Sequence, residues 1–275
     1  MLVSSKEIIL KAQAGKYAVG SFNTSDLEIT KAIVWAAARL EAPVMVETSE
    51  KAIAYAGLEN LADIIKNEAK KSRFPVALHL DHGKSLEIIR QCLDEGYTSV
   101  MFDGSLLSFE ENKILTRQAA EMAHKRGVAC EGELGAINKI GEAKKLTDPG
   151  QIAEFVRETG VDFLAVAFGS AHGIDTDEKL DIDLLKKIRA KTSIPLVLHG
   201  ASGVSNDDIK TAIKNGICKI NIDTDIRHTF AKTIREINHK YKKLDDPRDM
   251  MNKVIEEIQK VVEEKIKLFG SEGKT

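Results

Sequence analysis

The sequence predicts an α/β protein whose strands close into a parallel (β/α)8 TIM barrel, and three observations carry that reading. Short apolar runs of strand length alternate with segments of helical period, the pattern of stacked βαβ units around a parallel sheet. Eight such runs can be counted, each followed by a helical segment. The length of 275 residues also suits one barrel, a fold that commonly takes about 250. No Pro- or Ser-rich linker divides the chain, so one domain over 1–275 is expected, with a helical extension at its C-terminal end.

The elements follow in order. Strands are expected at residues 17–22, 44–48, 76–80, 99–102, 128–133, 163–168, 196–199 and 218–222. Helices are expected between and after them, at 26–40, 58–71, 86–95, 109–126, 149–159, 182–190, 206–215 and 225–240. Ser25, Ser85 and Ser205 stand where a hydroxyl would cap the first free amides. Gly96, Gly127, Gly160 and Gly216 stand where a left-handed residue would end a helix. A short helix at 4–14 is placed under the bottom of the barrel, 247–268 reads as an amphipathic terminal helix, and the charged tail 270–275 is expected to fray.

Composition limits the partners. With 40 basic and 42 acidic side chains the net charge is -2, so no overall field draws the chain to nucleic acid or to an anionic membrane. Cys92, Cys130 and Cys218 are far apart, with no Cys-x-x-Cys, which argues against a disulfide framework or a thiolate zinc site. Charge already enters at Lys6 and Glu7, and nowhere does an apolar run reach membrane-spanning length. A cytoplasmic protein is expected.

The chemistry starts from His82, His172 and His199, each just after a strand-length run. In a parallel barrel these ends share one rim, where three imidazoles leave a divalent cation an open coordination position, as a catalytic metal requires. A single histidine at a strand end is ordinarily a hydrogen-bonded rim residue; three at equivalent positions argue for ligands. Asp81 precedes His82, and neighbours on an alternating strand point to opposite sides, so the pair can divide the work of base and ligand. His79 inside its strand, and His124, His228 and His239 on helical segments, are read as structural or surface residues. Small residues in the loops 169–173, 199–203 and 221–224 let backbone amides approach a phosphate. Asp103 and Glu133 end their strands and face the same rim, either as a second or mobile metal position or as partners of a lysine. Glu131 is expected to point outward to the helices.

At these residues the chain resembles the class II, metal-dependent ketose-bisphosphate aldolases, most closely the tagatose- and fructose-bisphosphate branch. The likeness runs through His79-Leu-Asp-His82, Ser99-Val-Met-Phe-Asp103, Glu131-Gly-Glu-Leu-Gly135, Ala165-Val-Ala-Phe-Gly-Ser-Ala-His-Gly173, Pro195-Leu-Val-Leu-His-Gly-Ala-Ser202, Lys219-Ile-Asn-Ile-Asp-Thr224 and Asp246-Pro-Arg248. The resemblance implies that His82, His172 and His199 bind zinc, with Asp103 and Glu133 as an alternate metal position; a second divalent or a monovalent cation is left open. It makes Asp81 the group that takes the proton from the C4 hydroxyl. Gly173, Gly200, Ala201, Ser202, Asn221, Asp223 and Thr224 then hold the dihydroxyacetone-phosphate half, with Asn221 steadying the enediolate. Ser49 and Arg248 are further substrate contacts, the arginine reaching the distal phosphate from a neighbouring subunit, so a homodimer or homotetramer is expected. The implied reaction is reversible cleavage of a ketose 1,6-bisphosphate, of fructose or tagatose type, to dihydroxyacetone phosphate and glyceraldehyde 3-phosphate through a metal-stabilised enediolate. One segment departs from the family pattern: after Gly135 the loop 136–145 is shorter and basic, and Glu142 is its only carboxylate to exchange the C3 proton.

Four other readings compete. The shortened loop would suit a non-catalytic barrel that binds sugar phosphate or supports a partner enzyme, or an aldolase for another ketose phosphate. A zinc hydrolase of the same fold would need two histidines on the first strand, which instead reads Gly20-Ser-Phe-Asn-Thr24. An imine-forming aldolase would need a rim-facing lysine, and only Lys219, at the start of its strand, comes near.

Overall fold

A computed structural model describes residues 1–136, 145–170, 173, 179–240 and 245–275. Its strands are β1 (Val19–Asn23), β2 (Val44–Ser49), β3 (Val76–Gly83), β4 (Ser99–Phe102), β5 (Ala129–Leu134), β6 (Phe163–Val166), β7 (Leu196–Leu198) and β8 (Ile217–Ile222). All neighbours pair in parallel, and β1 pairs with β8, so the sheet closes in sequence order as the alternation predicts. The helices are α1 (Ser5–Gly15), α2 (Leu27–Arg39), α3 (Glu50–Ala56), α4 (Leu58–Lys71), α5 (Leu86–Asp94), α6 (Phe109–His124), α7 (Pro149–Thr159), α8 (Ile182–Arg189), α9 (Asn206–Lys214), α10 (Thr224–Lys240) and α11 (Pro247–Phe269), with a 3-10 turn at Ala201–Gly203. Among the described residues no helix is long and apolar enough to cross a membrane.

Strand parity builds two cores. Odd-numbered residues of β2 to β7 point into the barrel and even-numbered ones pack under the helices, so Val76, Leu78 and Leu80 join the outer core while Ala77 joins the inner one. The lower interior is apolar, filled by Val19, Met45, Phe163 and Val197, and α1 closes it from below with Ile8, Ile9 and Ala12. Above that layer the inward residues turn polar: Ser21, Glu47, His79, Ser99, Glu131 and Lys219 are all fully buried.

Local signals account for the helix ends. Ser85 and Ser205 cap α5 and α9 as expected, accepting from Ile88 and Asp208 amides. The cap of α2 is Asp26 rather than Ser25, since the carboxylate accepts from the Ile29 amide at 2.8 Å. One helix was not anticipated and one further expectation fails, each for a physical reason. The segment after Ser49 is helical, because the Ser49 hydroxyl accepts from the Ala52 amide and opens α3. The tail does not fray at its start: Ser271 is fully buried, and the Gly273 amide donates to the Leu40 carbonyl at 3.0 Å.

The inner layer is close-packed, so truncation there leaves a hole the closed sheet cannot collapse to fill. Phe163→Ala is expected to destabilise the chain by about 3–5 kcal/mol, read as a lower urea midpoint with an unchanged slope.

Candidate metal centre and active site

Residues at the carboxyl ends of the strands line a cavity of about 180 Å³: Asn23, Ser49, Asp81, His82, Gly173, His199, Gly200, Ser202, Asn221, Asp223 and Thr224. Of the residues singled out in the sequence, Ala201 is buried beside them. His172 and Glu142 lie outside the described residues. Arg248 does not line the cavity; its guanidinium is exposed and paired with Asp246 at the start of α11. Asn23 was missed as a site residue. Its amide donates to Asp81 Oδ2 at 3.0 Å, and its inward parity on β1 was the available signal.

Simple alternation would send Asp81 and His82 to opposite sides. Instead β3 slips register against β4 between Leu80 and Gly83, and His82 takes a left-handed φ of 50°. That bulge turns both side chains into the rim. Gly83 is required beside it, because a Cβ there would meet the Met101 carbonyl oxygen at 2.8 Å.

The two described histidines face each other. His82 Nε2 and His199 Nδ1 are 3.0 Å apart, with the rings edge to face. Each outer nitrogen is held by a carboxylate: His82 Nδ1 by Asp103 at 2.8 Å and His199 Nε2 by Glu131 at 2.8 Å. A carboxylate fixes the N–H on the outer nitrogen, so the inner nitrogens present lone pairs to each other. Without a metal a proton on His82 must separate two lone pairs at that distance, and a metal can take that proton's place, since two nitrogens on a tetrahedral zinc are about 3.3 Å apart. The donor set therefore fits a divalent metal. Asp81 Oδ1 lies 3.8 Å from His82 Nε2 and 3.9 Å from His199 Nδ1, and the three residues form one group able to hold an ion.

The local field is negative. Burial opposes a charged His82, yet Asp81, Asp103 and Glu133 outweigh it and raise its pKa to about 10. Burial likewise opposes ionised Asp81, but His82, His199 and Lys219 hold its pKa down at about 2. A field that retains a proton on an imidazole also retains a cation.

The comparisons agree with this geometry. A family profile described as class II fructose-bisphosphate aldolase matches residues 3–274. A fructose-bisphosphate aldolase of Geobacillus stearothermophilus is 42% identical over 282 residues, spanning 99% of this chain and 98% of that protein. The crystal structure of the YdjI aldolase from Escherichia coli K12 superposes with a TM-score of 0.89 at 36% identity, covering 100% of this chain and 99% of that one. A putative fructose-1,6-bisphosphate aldolase from Coccidioides immitis gives 0.90 at 30% identity, covering 98% and 97%. This chain belongs to the class II fructose-bisphosphate aldolase family. It is a metal-dependent aldolase, a carbon–carbon lyase of carbohydrate metabolism that acts on phosphorylated sugars.

Beneath its rim the aldolase holds a sealed ionic layer. Lys219 Nζ lies 2.9 Å from Glu131 Oε2, 3.3 Å from His79 Nε2 and 3.7 Å from Glu47 Oε2. Glu131 thus points inward, contrary to the sequence expectation, because it follows the inward parity of Ala129 on β5. One of its oxygens meets Lys219 and the other orients His199. Burial works against the charge on both partners, but their mutual attraction lowers the pKa of Glu131 and raises that of Lys219. Burial and then Asp81 push Glu47 well up, toward its neutral form. Burial and then Lys219 depress His79 to about 3, so it stays neutral while bonded to Ser99. A charged, fully buried Lys219 is no amine nucleophile, which removes the imine candidate noted in the sequence.

Outside the cavity the aldolase has an adjoining chamber of about 550 Å³ that shares Asn23, Ser49 and Asp223 and adds Lys51 and Arg227. Arg227 is held bidentately by Asp223, its Nε 2.9 Å from each carboxylate oxygen.

Removing the ammonium strands a carboxylate in the barrel interior. Lys219→Met is expected to cost about 3–5 kcal/mol, and adding Glu131→Gln to the same chain to recover part of it, measured as a double-mutant cycle in denaturant.

Proposed function

We propose that the chain is a zinc-dependent aldolase that reversibly cleaves a ketose 1,6-bisphosphate, of fructose or tagatose type, to dihydroxyacetone phosphate and glyceraldehyde 3-phosphate. The observation that carries this reading is the pair of imidazole nitrogens turned to each other at 3.0 Å, with a carboxylate behind each ring. His82 and His199, together with His172, would hold the zinc. When bound, zinc supplies a Lewis acid for the negative charge that develops as C3–C4 breaks.

The protein's own groups divide the remaining work. Asp81 is ionised and held by amide donors on both oxygens, Asn23 at 3.0 Å and Asn221 at 3.1 Å. That orientation suits a base for the C4 hydroxyl proton. Asn221 Oδ1 is buried without a hydrogen-bond partner among the described residues, so it can accept from a substrate hydroxyl in the cavity. Gly173, Gly200, Ser202, Asp223 and Thr224 line the cavity, with Ala201 buried between two of them, and the positive end of α10, which starts at Thr224, would face a phosphate held there. Gly200, at φ 66°, is the left-handed residue that turns the chain from His199 into the 3-10 turn. Lys51 and Arg227 with Ser49 would take the distal phosphate in the adjoining chamber. Arg248 would reach that phosphate from a second copy in a homodimer or homotetramer. Glu142 remains the proposed group for the C3 proton. The three cysteines are buried free thiols, in keeping with a cytoplasmic enzyme.

Two experiments test the reading. Asp81→Ala is expected to lower kcat about 10²–10⁴-fold while the protein still binds dihydroxyacetone phosphate; full turnover in that variant would refute the assignment of the base. Chelation should abolish cleavage and added zinc restore it, whereas borohydride with substrate should trap no lysine adduct. A third measurement addresses the carboxylate behind the ring: Glu131→Gln should weaken zinc affinity of the apoprotein by about 10–100-fold in a competition assay with a chromophoric chelator.

A further inference from the structure

His82, Asp103 and Glu133 form a second group whose ligand atoms lie close enough to hold an ion. A cationic side chain already stands against it. Lys84 Nζ is 2.5 Å from Asp103 Oδ2, the oxygen that also accepts from His82 Nδ1. The other oxygen, Asp103 Oδ1, accepts from the Ser105 hydroxyl at 2.6 Å and the Ser105 amide at 3.1 Å. Both oxygens of Asp103 are therefore engaged, and together His82, Lys84 and Ser105 overcome burial to hold its carboxyl well below the usual range.

The lysine is also placed rather than merely near. The Lys84 backbone amide donates to Glu50 Oε1 at 2.6 Å, which ties the turn after β3 to the first residue of α3. Gly83, hemmed in by the Met101 carbonyl, fixes where that turn leaves the strand. Charge balance points the same way. Three carboxylates, Asp81, Asp103 and Glu133, meet His82 within 4 Å. A single divalent ion at the histidines would offset two of those charges and leave one.

We propose that the Lys84 ammonium occupies the Asp103 corner of this cation position and so closes it, so that the protein holds one divalent metal per chain even in excess metal. The inference rests on the zinc reading above and adds to it a built-in cation that keeps the alternate position closed. A second metal at this position would have to displace Lys84 from Asp103. A lysine has a further effect that a mobile ion lacks: it keeps Asp103 oriented on His82 Nδ1 at every metal concentration, so the inner nitrogen of His82 remains a ligand.

The test is metal stoichiometry, with zinc alone as the probe. Wild type, Lys84→Met, Lys84→Gln and Lys84→Arg are dialysed to equilibrium against excess zinc and analysed for bound metal per chain, with anomalous diffraction to locate it. The expected result is one zinc in wild type and in the arginine variant, and two in the methionine and glutamine variants, the second beside Asp103. The lysine side chain is half exposed, so neutral substitutions should fold. One zinc in all four proteins, or two in wild type, overturns the role of Lys84 and leaves the zinc reading standing. No zinc in wild type overturns the zinc reading itself and this inference with it.

Discussion

The arrangement at the rim depends on one ammonium sealed inside the barrel. Lys219 is fully buried at mid-height, and its attraction to Glu131 keeps that carboxylate ionised where burial alone would protonate it. An ionised Glu131 in turn fixes the N–H of His199 on the outer nitrogen and leaves the inner one to a metal. Burying an ion pair is rarely the most stable filling for a core, since well-packed apolar residues of the same volume often do better. The pair at this height instead supplies a rigid, water-free support for a ligand whose orientation must not drift. Burial that raises Glu47 toward its neutral form and lowers His79 to about 3 limits the uncompensated charge in the layer.

The second constraint is parity along the strands, together with the one place where it is broken. Inward residues on β1, β2, β4, β5 and β8 place Asn23, Ser49, Asp103, Glu133 and Asn221 on one rim because the sheet is parallel and closed. Asp81 obeys the same rule. His82 does not, and it reaches the rim only through a left-handed backbone and a register slip. A non-glycine residue held there costs of order 1–3 kcal/mol. The bulge stores that strain at the point where the proposed base and a proposed ligand must both face the substrate from consecutive positions.

Those two constraints explain what could be read beforehand. The barrel was legible because its signals are local: strand-length apolar runs, helix caps such as Ser85 and Ser205, and glycines such as Gly160 at helix ends. The polar rim was legible because chemistry-bearing residues fall where strands stop. Glu131 was misjudged because its meaning lies in Lys219: a carboxylate reads as outward-facing until a partner from a distant strand is known to occupy the barrel interior. The bulge at His82 was hidden for a related reason, since nothing in Asp81-His82-Gly83 alone states that β4 will slip against it. Asn23 and Arg227 lacked a motif and became visible only when the strand ends and the start of α10 were brought around one cavity.

Charge is segregated radially at this end of the barrel, and the segregation follows from what the two kinds of ligand require. Carboxylates sit at the centre, behind the histidines, where low dielectric strengthens their pull on a cation. Apart from Lys219 beneath the centre and Lys84 against Asp103, the positive groups stand further out: the start of α10, Lys51 and Arg227. A phosphate drawn to the centre would compete with the substrate oxygens for the proposed metal. One held at the periphery, against helix amides and an arginine anchored by Asp223, leaves the centre to the reacting carbons. Asp223 serves both ends of this arrangement: it lines the inner cavity and fixes Arg227 in the outer chamber. The distance between the two proposed phosphate positions would thereby be tied to the junction of β8 and α10 rather than to a loop, on the same backbone that carries Asn221 and, two residues below it, Lys219.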